Sequence, residues 1–346
     1  MVDVYLTSDV EIWCNGWNNL DDAFPAAFKR YIYGHTKHGD YGLGFQTQAL
    51  KERGLTANFF VEPLFSYRFG LPFLSEIVDI IQAQQQNVEL HLHTEWVDEI
   101  TPALIPNSNK KRQHLRYFTL EEQTQLIAAG KQQLLNAGVD QIDAFRAGSF
   151  AFNQDTLTAL TTNGIGIDSS YNATQFGPSS GVRPEQLMTQ AFQEGAISEY
   201  PMSVFDDGFG KLRHAQLTAC SFREIETILW QALESGQQSF VFLFHNFELL
   251  NRSHNHLDRV MLKRFEQLLD FLERNRKDFP TQSFSHTTKT VTEEPDTAEI
   301  STTDSKSSLN SAFWQTALRY AEQLYRRKYN KTRAWSKQRR ERAERQ

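Results

Sequence analysis

Short runs rich in β-branched and aromatic residues recur along this chain with helix-periodic stretches between them, a rhythm that few folds can accommodate. Val2–Ile12, Thr56–Val61, Val88–His93, Ala144–Ala147, Ile165–Ser169 and Ser239–His245 read as strands. Helices are predicted over Leu74–Gln85, introduced by Pro72, and over Leu120–Ala137, where Thr119 and Glu122 carry a capping-box signature and Gly138 supplies the stop. Gln154–Thr162, Phe222–Ser235 and Arg259–Arg274 complete the helical set. Strands that alternate with helices imply crossover connections, and hence a mainly parallel sheet or barrel of the α/β class.

In such folds chemistry gathers at the carboxyl ends of the strands. In the first run Val4, Leu6, Ser8 and Val10 alternate with Tyr5, Thr7, Asp9 and Glu11, so the two carboxylates leave the same face near the strand's end. Like charges so placed repel unless a cation or solvent relieves them. In the third run Glu89, His91 and His93 share the face opposite Val88, Leu90 and Leu92, with Glu95 and Trp96 at the strand mouth. A lone histidine there is ordinarily a satisfied structural residue, whereas two in alternation can converge on one ion. The very apolar run Ser239–His245 ends in an imidazole, which taken singly is a hydrogen-bonded rim residue. Arg146 ends another run with a guanidinium, suited either to a surface ion pair or to orienting a carboxylate. All four clusters terminate separate strands, and parallel strands bring them to one rim.

The 346 residues, 40% of them apolar, suffice for one large α/β domain or two smaller ones. Cys14 and Cys220 are too few for a disulfide framework and argue for a reducing compartment. Asp3 and Asp9 interrupt the apolar start, and no run approaches the ~20 apolar residues of a membrane span. The expectation is a cytoplasmic protein that does not cross a membrane. After Phe284 the composition turns to Thr, Ser, Glu and Asp, so residues 1–285 form the globular unit and 286–310 a disordered linker. Over 311–346, Phe313, Trp314, Ala317, Leu318, Ala321, Leu324 and Tyr325 recur at helical spacing before a basic terminus. That segment carries a formal charge of +8 against −14 for the remainder. A basic amphipathic helix of this kind is solvated, touches a partner, or lies on an anionic membrane surface such as the inner face of the cell membrane. Nucleic acid is disfavoured by the acidic body.

In Thr7–Glu11, His91–Trp96, Arg146–Phe150, Asp168–Tyr171 and Leu243–His245, taken in that order, the chain resembles the polysaccharide deacetylase family, carbohydrate esterases whose domain is a distorted (β/α) barrel. The resemblance covers about residues 1–285. It implies a metal-dependent hydrolase that removes N-acetyl groups from an amino sugar or polysaccharide precursor. By it Asp9 matches the base, Glu11 the metal carboxylate, Arg146 the residue that orients the base, His245 the general acid and His91 the first metal histidine. The second carboxylate of the family's pair is Asp where this chain has the longer Glu11. Its two histidines lie four apart where this chain has Glu95, and the proline of its arginine motif is replaced by Gly148. Either His93 or Glu95 therefore completes the shell, with His93 favoured because it shares a strand face with His91. A divalent ion, zinc first, suits such a shell. Trp96, Phe150 and Tyr171 are the candidates to stack on a sugar ring. Two other readings remain: a catalytically silent glycan-binding or regulatory protein, and a hydrolase of another non-peptide C–N bond.

Overall fold

The structure is a computed structural model that describes residues 1–106, 108–284 and 309–326. Its centre is an eight-stranded sheet. In chain order the strands are β1 (Asp3–Val10), β2 (Ala57–Val61), β3 (Asn87–Leu92), β4 (Ala144–Ala147), β5 (Ile167–Asp168), β6 (Phe192–Glu194), β7 (Ile197–Glu199) and β8 (Ser239–His245). Across the sheet they run β8-β1-β2-β3-β4-β5-β7-β6, all parallel except β6, which turns back on β7. Around it lie α1 (Leu20–Phe28), α2 (Leu43–Glu52), α3 (Leu71–Gln82), α4 (Leu120–Asn136), α5 (Gln154–Thr162), α6 (Phe222–Glu234) and α7 (Arg259–Arg274).

The sheet curls into an irregular barrel. Beyond β7 the chain reaches the free edge of β8, where Ser203 N donates to Val241 O at 3.3 Å and its Oγ accepts from Val241 N at 2.9 Å. Ala215 and Leu217 continue that seam through Leu243. One apolar cluster lies between sheet and helices and includes Leu6, Val61, Leu90, Phe145 and Phe242. A smaller one fills the barrel interior with Tyr5, Phe60, Ile167, Tyr200 and Leu243, and Phe284 stacks on Tyr5 at 4.7 Å. The alternation read in the sequence thus separates an outer face that meets helices from an inner face that carries the polar rim.

β4 and β8 keep their expected bounds, and α4 opens on the expected capping box, with Thr119 Oγ1 accepting from Glu122 N. α3 starts three residues earlier than predicted, because Gly70 precedes it and Pro72 occupies its first turn. The sequence did not reveal α1, which carries Pro25 internally, nor the β6-β7 hairpin, whose strands are three residues each. The expected linker lies outside the described residues save Leu309 and Asn310. From Leu309 the chain rejoins the barrel, Ser311 N donating to Asp206 O at 2.8 Å, and residues 313–326 form a further helix, α8.

Candidate active site

The parallel register sets the site. Asp9 on β1 lies opposite His245 on β8, and His91 on β3 opposite Arg146 on β4, so these side chains reach the interior at the carboxyl ends of their strands. Arg146, 0% exposed, is pinned on every side. Its Nη1 donates to Asp9 Oδ1 at 2.7 Å and to Thr7 Oγ1 at 3.0 Å, while Nε and Nη2 donate to the carbonyl and hydroxyl of Ser169. Its guanidinium also covers the Phe60 ring at 4.4 Å. Asp9 is therefore held by one oxygen, and its other oxygen lies 3.9 Å from His91 Nε2.

Glu11 Oε1 is the point on which both histidines converge, His91 Nε2 at 3.3 Å and His93 Nε2 at 2.8 Å. The second nitrogen of each ring explains why this matters. His91 Nδ1 lies 2.7 Å from the Arg146 carbonyl, which can only accept, so Nδ1 carries a hydrogen, and a ring with one hydrogen would turn a bare Nε2 to a carboxylate. His93 lies between two carboxylates, with Nδ1 3.1 Å from Glu95 Oε2. Acceptor facing acceptor is repulsive, so this cluster needs positive charge between its donors, as protons or as a cation. Burial alone would raise the Glu11 carboxyl, but His93 and the hydrogen bonds from both rings outweigh it and hold it well below the usual range. Burial likewise opposes charge on His93, yet Glu11 and Glu95 push it well above an ordinary imidazole.

Glu11, His91 and His93 have ligand atoms within 4.8 Å of one another and are all buried, and Asp9, Glu11 and His245 form a second such group. One oxygen and two nitrogens, each ring oriented by a carbonyl or carboxylate on its far side, is a donor set that fits a divalent ion. Trp13 Nε1 donates to Glu11 Oε2 at 2.7 Å, and Asn246 binds both the N–H and the carbonyl of Glu11. These contacts fix the longer carboxylate. His245 Nδ1 lies 2.9 Å from Glu248 Oε1, which also takes Gln216 and Thr218. Burial disfavours the His245 cation, but Glu248, then Glu11 and Asp9, prevail and push it up to about 9.

No family model matches the sequence, and no curated protein is similar to it. Among solved structures it is similar to a family 4 carbohydrate esterase from Streptomyces lividans, at 12% identity and TM-score 0.42, over 82% of this chain and 95% of that one. A Mycobacterium smegmatis protein, provisionally described as a polysaccharide deacetylase, aligns at 15% identity and TM-score 0.48, over 82% and 87%. A family 4 pseudoenzyme from Bacillus anthracis aligns at 12% identity and TM-score 0.36, over 79% and 60%.

The structure brings together Asp9, Glu11, His91, His93, Arg146 and His245, but it does not offer the expected aromatic platform. Trp96, 2% exposed, packs edge-on to Trp17 and against Phe65 and Phe69. Tyr171, 0% exposed, donates to Gln186 O and packs on Phe192. Phe150 is buried beside Arg146 in the interior cluster. Each is a core residue: the strand mouths are roofed by neighbouring segments, which sequence distance hides. The half-buried aromatic beside the cluster is Trp13, edge-on to His93 at 4.8 Å. It sits two residues after Glu11 on the same alternation, a signal present in the sequence.

Gly148 has a local reason. A Cβ there would lie 2.7 Å from Leu92 O and 2.8 Å from His93 Nδ1, so the space that any side chain would take belongs to the His93 ring. The absence of a side chain at Gly148 and the position of the His93 ring are therefore one structural feature. Ser149 and Phe150 follow with φ of 55° and 57°, two successive left-handed non-glycine residues at the rim.

Proposed function

We propose that the chain is a metal-dependent hydrolase that removes N-acetyl groups from an amino sugar or polysaccharide precursor, releasing acetate and the free amine. The observation that carries this reading is the convergence of a carboxylate held by a buried arginine with an oxygen-and-nitrogen ligand set on one rim of the barrel. Glu11, His91 and His93 would hold the ion, zinc suiting that donor set. When bound, the ion supplies a polarising charge for the acetyl carbonyl and acidifies a water.

Asp9 takes the proton of the attacking water. Arg146 occupies Oδ1, which leaves the other oxygen, on the His91 side, to accept it. Arg146 needs no reorganisation for this, since four hydrogen bonds already fix it. His245 protonates the departing nitrogen: with Nδ1 held by Glu248, Nε2 is the nitrogen left to transfer a proton. A peptide N–H of the Ser149–Phe150 turn would steady the developing oxyanion. Trp13, half-buried beside His93, is an aromatic ring that would meet a sugar.

Metal content and acetate release from N-acetylated oligosaccharides, compared among wild type, Asp9→Asn and His91→Ala, test the proposal. Asp9→Asn is expected to keep the ion and lose turnover, His91→Ala to lose both. Equal activity in all three sinks the hydrolase reading. Bound metal with no acetate released from any substrate by wild type would leave a glycan-binding protein, and release from a different N-acyl or ureide compound would reassign the substrate.

A further inference from the structure

Helix α8 is mounted inside out. At 100° per residue its apolar side chains, Phe313, Trp314, Ala317, Leu318, Tyr320, Ala321 and Leu324, fall within roughly a 160° arc, and Gln315, Thr316, Arg319, Glu322, Gln323 and Arg326 fill the opposite side. In an ordinary surface helix the apolar side faces the core. Here the polar side does. Gln315 Nε2 donates to Thr227 Oγ1 at 2.7 Å, Thr316 Oγ1 to Glu224 Oε1 at 2.9 Å, Arg264 pairs with Glu322, and Arg326 Nη2 lies 2.8 Å from Asp258 Oδ2. Glu224 at the start of α6 also caps its own helix and binds Arg213, so this network is buried and specific. Turning α8 over would strand those groups, at the full cost of unsatisfied buried polar atoms.

The consequence lies on the outside. Phe313, Trp314, Leu318 and Leu324 are 62%, 51%, 52% and 63% exposed, and Phe209, itself exposed, packs on Phe313 at 4.8 Å and widens the patch. Beside it runs a groove of about 660 Å³ between α6, α7 and α8, walled by Leu318 and edged by the exposed cations Arg223, Arg259 and Lys263, with Glu226 and the Arg264-paired Glu322 the carboxylates on its lining. Residues 327–346, which follow in the sequence, hold nine Lys/Arg against Glu341 and Glu344. No helix among the described residues is long and apolar enough to cross a membrane.

We propose that the outward face of α8, with the cations that flank and follow it, docks the protein on an anionic lipid surface. Tryptophan, tyrosine and leucine on one side of a helix suit the depth between headgroups and acyl chains, and the cations meet the headgroup charge. The proposal is independent of the barrel's chemistry.

The test is flotation of the full chain with phosphatidylcholine vesicles, with and without 30 mol% phosphatidylglycerol. Wild type is expected to float with the anionic vesicles only, more weakly in 0.5 M salt, with a blue shift of tryptophan emission. Trp314→Ser/Leu318→Ser/Leu324→Ser, whose melting is monitored to show that α8 stays docked through its polar side, is expected to bind at least ~10-fold more weakly. Neutralising Arg339, Arg340 and Arg342 to Gln is expected to weaken binding on the order of 5-fold per charge. Failure of wild type to float at low salt overturns the proposal. So does equal binding by the triple serine variant at unchanged melting. A dimer in light scattering that the serine variant dissolves would give the face to a second copy, and retention by an oligonucleotide without flotation would give the cations to nucleic acid; either result also overturns it.

Discussion

Replacing Gly148 with alanine probes whether the ligand set centres on His93. The added Cβ would stand 2.7 Å from Leu92 O, 2.8 Å from His93 Nδ1 and 3.0 Å from His93 Cε1. The Leu92 carbonyl belongs to a strand locked between β2 and β4, so it cannot withdraw far. The ring therefore moves, and its Nε2 leaves the 2.8 Å contact with Glu11. Overpacking of this size costs about 1–3 kcal/mol of stability. Disturbing a group that orients a ligand costs about 10–100-fold in metal affinity, and loss of His93 itself should cost at least as much. Zinc affinity, measured by competition with a chromophoric chelator, is expected to fall by that range in Gly148→Ala, with a lower melting temperature for the apo protein. The double variant His93→Ala/Gly148→Ala supplies the control: with the ring gone, part of the clash disappears, so the two stability losses should be less than additive. Unchanged zinc affinity in Gly148→Ala, or strict additivity in the cycle, would refute the coupling of these two residues and return Glu95 as the candidate ligand.

Arg146→Met leaves Asp9 buried without its cation, and removal of one partner from such a pair costs about 3–5 kcal/mol, so urea unfolding should show a loss of that order along with loss of acetate release. Tyr171→Phe should leave KM within about twofold and cost about 1 kcal/mol, because the ring is core and only its hydroxyl contacts change; a large rise in KM would restore a substrate role. The buried pair Asp168 and Glu199 gives a pH prediction. Burial, then the Asp168 charge, raises the Glu199 carboxyl well above its ordinary value, and each residue keeps one oxygen with no other donor, so the pair shares a proton. A raised folded-state value means that this contribution is complete below the unfolded value of about 4.3 and fades as pH rises through the folded one, at up to about 1.4 kcal/mol per pH unit. Glu199→Gln, whose amide donates to Asp168 at any pH, should flatten the fall in unfolding free energy as pH rises above the ordinary carboxylate range. Identical slopes for variant and wild type would remove the shared proton.

What the sequence determined is the inner and outer face of each long strand. Asp9 and Glu11, like His91 and His93, stand two apart at strand ends, Glu11 and His93 one residue past the last strand position, and the extended period of two carries each pair to one side. The helix that opens at Thr119 was legible for a similarly local reason, its cap depending on Glu122 three positions away. Tertiary structure decided the rest, because it turns on contacts between residues far apart in the chain. Only the closed barrel shows that Arg146 spans the interior to Asp9, that the His93 ring fills the space beside Gly148, and that Trp96 and Tyr171 lie under neighbouring segments rather than at the mouth. The same holds for α8. Its amphipathic pattern was readable, but which face meets the barrel depends on Glu224, Asp258 and Arg264, and those partners turned the polar face inward against the usual preference.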